Sequence, residues 1–334
     1  MRRLVRAVPF GISLLLVSAR ASFRPGVAGA PTPSPALLVL SKGDHVLSIV
    51  DPATLRVVAQ VPSGPDPHEV IASADGKLAY ISNYGGGAYH TITVVDLLGQ
   101  TALPVIDLGP LRGPHGLVFV GGKLWFTAEA ARVIGSYDPS TRQVDWVLGT
   151  GQNRTHMLVV APDLRRILTT NVNSGTVTII EPSGPDWDET VVPVGKGAEG
   201  FDVSPDGKEA WVANAQDGTI SVIDLATKRV VQTLAVEVRG ANRLKFTPDG
   251  SLVFVSTLGG PDVTVLGAAA RAVTKRVPVG HGAAGILMQP DGARAYVACT
   301  PDDDVAVIDV KSLSVIGRIA AGKRPDGLAW AVRP

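Results

Sequence analysis

The chain has 334 residues, of which 45% are hydrophobic and 18% charged. That is enough apolar material for a large buried core and excludes a disordered chain. Its 31 lysines and arginines nearly balance 30 aspartates and glutamates, so no basic excess exists to hold nucleic acid non-specifically. One cysteine, Cys299, excludes an intramolecular disulfide.

Residues 1–21 read as a signal peptide. Arg2, Arg3 and Arg6 form a positive start, residues 8–18 are apolar but too short to span a bilayer, and Ala19-Arg20-Ala21 is a small-x-small cleavage site. Ala28-Gly29-Ala30 is a second cleavage candidate, and a retained membrane anchor is the alternative reading. The paired arginines alone do not make a twin-arginine motif. Cleavage removes Arg2, Arg3, Arg6 and Arg20 and leaves a slightly acidic mature chain without a transmembrane segment, placed in the periplasm or outside the cell. Residues 22–36, rich in Pro, Gly and Ala, read as a flexible lead-in.

From residue 37 the chain repeats with a period of about 42 residues, in the range of propeller blades. Each unit runs an apolar strand into a Pro-Asp-Gly turn, as at 205–207, 248–250 and 290–292. Glycine there tolerates the positive φ of a tight hairpin. A second strand follows, as in Tyr80-Ile81-Ser82-Asn83, Trp211-Val212-Ala213-Asn214 and Tyr296-Val297-Ala298-Cys299. Cys299 in that strand reads as a small buried hydrophobe rather than a nucleophile. A third strand ends in an acidic residue (Asp51, Asp96, Asp138, Glu181, Asp224, Asp309) suited to bond the backbone of the next turn. A fourth, more polar strand completes the unit.

Six units are complete, and residues 37–67 form a partial one that lacks its innermost strand. Gly327-Leu328-Ala329-Trp330-Ala331 has the sequence of that missing strand. The expectation is therefore an all-β, seven-bladed β-propeller of four-stranded antiparallel blades over residues 37–334. Its ring closes through the C-terminal strand in blade one, leaving no long inner edge. A monomer is expected.

These repeats resemble the YVTN-repeat β-propeller family over residues 37–334. Gly113-Pro114-His115-Gly116, Leu124-Trp125-Phe126-Thr127 and Ile134-Gly135-Ser136-Tyr137-Asp138-Pro139 are similar to the repeat of streptogramin lyases. Ser82-Asn83-Tyr84-Gly85-Gly86-Gly87 resembles lactonase-type seven-bladed propellers. The resemblance implies the fold; propellers carry many unrelated functions.

Strand parity puts the loop entering each inner strand and the loop between strands two and three on one end of the blade, opposite the Pro-Asp-Gly turns. Aligning the residue just before each inner strand gives His68, His115, His156, Glu199, Asn242, Ala284 and Asp326. Three of the chain's six histidines thus share one repeat position in consecutive blades. His68, His115, His156 and Glu199, with Asp326 on the far side of the ring as a weaker ligand, are the expected metal set for zinc, manganese, iron or calcium. Streptogramin lyases and gluconolactonase-type propellers place a metal comparably, so the resemblance implies the same. The alternative is that Pro-His-Gly is a structural turn at each junction.

The longer loops at 84–90, 109–115 and 149–156 bring Tyr84, Arg112 and Arg154 to the same end, and with Asn242 these are candidate ligand-binding residues. Glu199, Glu129 and Arg243 are candidate catalytic residues, a glutamate acting as base. The acidic run at 302–304 lies on the same end, and His281 reads as loop. No Gly-x-Ser-x-Gly elbow, phosphate loop or haem-attachment motif is present. The leading reading is an exported scaffold that binds a small molecule or protein partner at the channel mouth, with a divalent metal as its candidate cofactor. The alternative is a metal-dependent hydrolase or lyase of lactone or ester type.

Overall fold

A computed structural model describes residues 30–334. The signal peptide read at 1–21, and lead-in residues 22–29, lie outside the described residues. The rest forms seven four-stranded antiparallel sheets packed side by side around one axis, a seven-bladed β-propeller. Blade 1 is shared by the two ends of the chain. Its inner strand, Pro325–Ala331, pairs with Ala36–Ser41, setting Leu37 opposite Trp330 and Leu38 opposite Ala329. Among the described residues no helix is long and apolar enough to cross a membrane.

The lead-in departs from the flexible expectation at its end. Gln100 donates to the Ala30 carbonyl at 2.8 Å, the Thr32 hydroxyl donates to the Leu97 carbonyl at 2.5 Å, and Arg333 donates to the Thr32 carbonyl at 2.7 Å. Composition suggested a spacer; polar contacts to blade 2 and to the C-terminal residues tie residues 30–32 down instead.

Packing explains the strand patterns. Second and third strands are sandwiched between neighbouring blades, so Tyr296–Cys299 and Val305–Ile308 are buried on both faces. Outer strands face solvent on one side and alternate, as in Gln143–Gly149. Trp211, Tyr296, Phe126 and Phe254 are fully buried between blades, each contributing on the order of 1.5–3 kcal/mol. Cys299 is buried as expected, and burial pushes its thiol up to about 11.

The turns follow the chemistry of their residues. Gly207, Gly250 and Gly292 have φ of 70, 71 and 74°. Asp51, Asp96, Asp138, Asp224 and Asp309 each accept a backbone N–H two or three residues on. Glu181, one methylene longer, pairs with Arg166 and Lys228 instead.

Candidate functional site at the channel mouth

All seven blades build the mouth from one backbone device. Two residues before the aligned position the chain turns left-handed: Asp66, Gly113, Arg154, Gly197, Gly240, Gly282 and Arg324 have φ between 44 and 73°. The carbonyl of each accepts the N–H of the residue that follows strand two, namely Tyr84, Glu129, Val172, Ala215, Leu258, Thr300 and Lys42 in turn. The inner strand then breaks register, for example between Pro114 and Leu117 and between Thr155 and Leu158. This bulge leaves two residues unpaired and aims them at the axis. The aligned residues were expected just before the inner strands; they are the second residue of each, within the bulge.

A hydroxyl on strand two stitches several bulges to the next blade. Thr127 accepts the Gly116 N–H at 2.9 Å and donates to the His156 carbonyl at 2.7 Å. Thr170 and Ser256 link Met157 to Glu199 and Arg243 to Ala284 in the same way. The His156 backbone is therefore held by a blade-to-blade hydrogen bond.

His115, His156 and Glu129 form a buried group, 3%, 2% and 6% exposed. Their ligating atoms lie within 4.8 Å of one another, an arrangement that can hold a metal ion. The His115 and His156 rings are 3.9 Å apart. His156 lies between two carboxylates: Nδ1 donates to Glu129, and Nε2 sits 2.6 Å from Glu199, poorly aligned for a hydrogen bond. Tyr84 donates its hydroxyl to the other oxygen of Glu129. Burial disfavours a charged imidazole, but Glu199 and Glu129 outweigh it and hold His156 above the ordinary imidazole range. Burial likewise opposes both carboxylates, and His156 holds both below the ordinary range. Burial, and then His156, press His115 well down and favour its neutral ring; its buried Nδ1 has no hydrogen-bond partner.

A cavity of 350 Å³ opens beside this group. Lys42, Arg154, Glu199 and Asn242 are among its walls, with the short side chains of Ala284 and Thr300 opposite. One position further along each inner strand, four blades carry Gly116, Gly200, Gly285 and Gly327, where a Cβ would meet the neighbouring blade's backbone. Blades 2 and 6 carry Glu69 and Arg243 instead, and these form an ion pair that bridges the channel. Arg243 is 7% exposed and also donates to the Asn242 carbonyl at 2.9 Å.

The expected ligands separate in space. His115, His156 and Glu199 converge, joined by Glu129. His68 lies 5.1 Å ring to ring from His115, but its Nε2 accepts from Lys42 at 2.8 Å. Asp326 pairs with the same Lys42 at 3.1 Å. Both are thus occupied by a cation rather than turned toward the cluster. Glu129, expected as a base, sits behind His156 and does not line the cavity. Arg243 lines it, tied to Glu69. Arg154 stands 3.6 Å from Glu129, while Arg112 is exposed and outside the cavity. In the acidic run, Asp302 pairs with the exposed loop residue His281, Asp303 accepts the Arg324 N–H, and Asp304 pairs with Arg318. Lys42, Glu69 and Arg324 were missed. Lys42 shares the repeat position of Tyr84 and Glu129, Glu69 that of Arg243 and Arg324 that of Arg154, so three further aligned columns would have found them.

No family model matches the chain, and no curated protein sequence matches it. Solved structures do. A protein of unknown function from Desulfotomaculum acetoxidans superposes with a TM-score of 0.75 at 14% identity, over 90% of this chain and 100% of that one. A candidate 6-phosphogluconolactonase from Bacteroides uniformis gives 0.74 at 14% identity over 89% and 99%. Its counterpart from Bacteroides fragilis gives 0.71 at 16% identity over 90% and 99%. At these identities the likeness concerns the fold.

Proposed function

We propose that this is an exported propeller of YVTN type whose channel mouth binds a small molecule against a divalent metal ion. The observation that carries the reading is the convergence of His115, Glu129 and His156, all buried, beside a 350 Å³ cavity. The residues fit an ion. His115 presents a buried nitrogen with no partner, an expensive arrangement unless something is bound there. Two imidazoles, with the carboxylate of Glu199 adjacent, suit zinc, manganese or iron; calcium prefers an all-oxygen shell. Tyr84 and Glu129 orient His156 from behind, the role that outer carboxylates take toward histidine ligands.

A second reading is hydrolysis of a lactone or ester. Likeness in fold to two candidate 6-phosphogluconolactonases favours it. An ion in this site would polarise the carbonyl of a substrate lying in the cavity. Glu199, on the cavity wall, is then the base candidate rather than Glu129.

Elemental analysis after gel filtration tests the first reading. Wild type is expected to carry about one equivalent of divalent metal per chain, and His115→Ala to lose most of it with unchanged β-sheet circular dichroism. A metal-free wild type that also takes up no zinc, manganese or iron on titration would overturn it. Turnover of lactone substrates by wild type and not by Glu199→Gln tests the second.

A further inference from the structure

We propose that the ligand of the mouth is a small molecule bearing a carboxylate or phosphate, and that Arg154 and Arg324 hold its anionic group. This rests on the reading above, because it names the ligand class of the same cavity.

The seven blades supply the comparison. The left-handed residue of the mouth is glycine in blades 3, 5, 6 and 7, at Gly113, Gly197, Gly240 and Gly282. Blades 4 and 1 place Arg154 and Arg324 there instead, and both line the cavity. The remaining exception, Asp66, has a local reason, since its carboxylate accepts the Gly85 N–H at 2.8 Å. The arginines have no such hydrogen bond, and Arg154 has only the loose 3.6 Å approach of its Nε to Glu129. The Arg324 guanidinium makes no hydrogen bond or ion pair among the described residues, and Nε of Arg154 is buried without a hydrogen-bond partner. A positive φ alone marks nothing: Arg142, Lys228 and Arg271 share it in the turns between strands three and four. Those turns lie at the opposite end of the ring.

Charge matching points the same way. Glu199 has His156 at 2.6 Å, Asp326 has Lys42 at 3.1 Å, Glu69 has Arg243, and Glu129, bonded by His156 and Tyr84, has Arg154 at 3.6 Å. The carboxylates in and around the cavity are thus matched one to one, the Arg154 pair being a loose one, and Arg324 is the cation left over. Guanidinium forks suit the paired oxygens of a carboxylate or phosphate. The short side chains of Ala284 and Thr300 leave the room such a molecule needs.

The test uses Arg154→Gly, Arg324→Gly and the double variant. Each is titrated by calorimetry with inorganic phosphate and with malonate at constant ionic strength, and its metal content is measured alongside. Wild type is expected to bind at least one of the two anions. Each single variant should bind it roughly tenfold more weakly, and the double variant not measurably. All three should melt at or above the wild-type temperature, because glycine suits the left-handed backbone. Wild type that binds neither anion, or a double variant that binds as wild type does, overturns the proposal. A metal-free wild type that still binds an anion sinks the metal reading and leaves this one standing. A metal-loaded wild type that ignores both anions sinks this one alone.

Discussion

Blades 2 to 4 and blades 5 to 7 present the same backbone to the mouth with different chemistry mounted on it. At the aligned position the first group carries His68, His115 and His156, the second Glu199, Asn242 and Ala284. After strand two the first group carries Tyr84, Glu129 and Val172, the second Ala215, Leu258 and Thr300. The left-handed turn, its accepted hydrogen bond and the bulge recur on both sides. Blades 5 to 7 build that geometry with mostly small or neutral side chains. The fold therefore does not require the imidazoles, the phenol or the second carboxylate of blades 2 to 4. Those groups crowd together, leave a buried nitrogen unpartnered and hold charge away from water, all unfavourable to folding taken alone. Their concentration on one side of the ring supports the site proposed above, to which the other side adds Glu199 and the space beside it.

The largest way to break this comparison is to separate the halves. They join in blade 1, where residues from both ends of the chain share a sheet. Deleting residues 327–334 removes most of the inner strand and bares the fully buried Leu37 and Leu38. Aggregation or a large fall in melting temperature is expected, and an unchanged melting curve would show that the strand does not close the ring. The next largest effect concerns the ion pair that links blade 2 to blade 6 across the channel. Arg243→Met leaves Glu69 charged, without its partner and out of full contact with water, at a cost of about 3–5 kcal/mol. Adding Glu69→Met should recover most of that loss, because an apolar replacement of both partners is often neutral. Chemical denaturation of both variants decides; a double variant as unstable as the single one would mean that the pair does more than compensate its own burial.

The fold was legible in the sequence because each of its features depends on local chemistry. Pro-Asp-Gly turns, acidic strand ends and a recurring inner strand are short patterns, and closure followed from a strand missing at one end and present at the other. The site was half legible. Equal repeat positions became neighbours, so His115, His156 and Glu199 converged as expected. What a single column cannot show is which partner each side chain meets across blades. Lys42 follows strand two of blade 1 and takes both His68 and Asp326 out of the cluster. Glu129, from the same position in blade 3, joins the histidines in blades 3 and 4. The channel-bridging pair lies 174 residues apart in the chain, and only ring geometry brings it together.

The smallest effect sharpens the comparison most, because it exchanges one hydroxyl between the halves. In blade 3 the Thr127 hydroxyl accepts the Gly116 N–H and donates to the His156 carbonyl, both in the buried rim. Blade 5 has Ala213 at the equivalent strand position, with no hydroxyl to make that stitch. Thr127→Val keeps the shape and leaves a buried donor and a buried acceptor unpaired, so destabilisation of about 1–3 kcal/mol is expected. Ala213→Ser offers the hydroxyl to the Gly200 bulge and is expected to stabilise by no more than about 1 kcal/mol, the net worth of a typical hydrogen bond. Denaturant midpoints measure both. Metal retention adds the functional half of the test. Thr127→Val frees the backbone of His156 and should weaken retention, whereas Ala213→Ser only adds a bond to the bulge that follows Glu199 and should not. If both variants lose metal equally, the ring responds as one body and the division between its halves is not mechanical. If only Thr127→Val does, the hydroxyl stitch is what holds a metal-binding histidine in place.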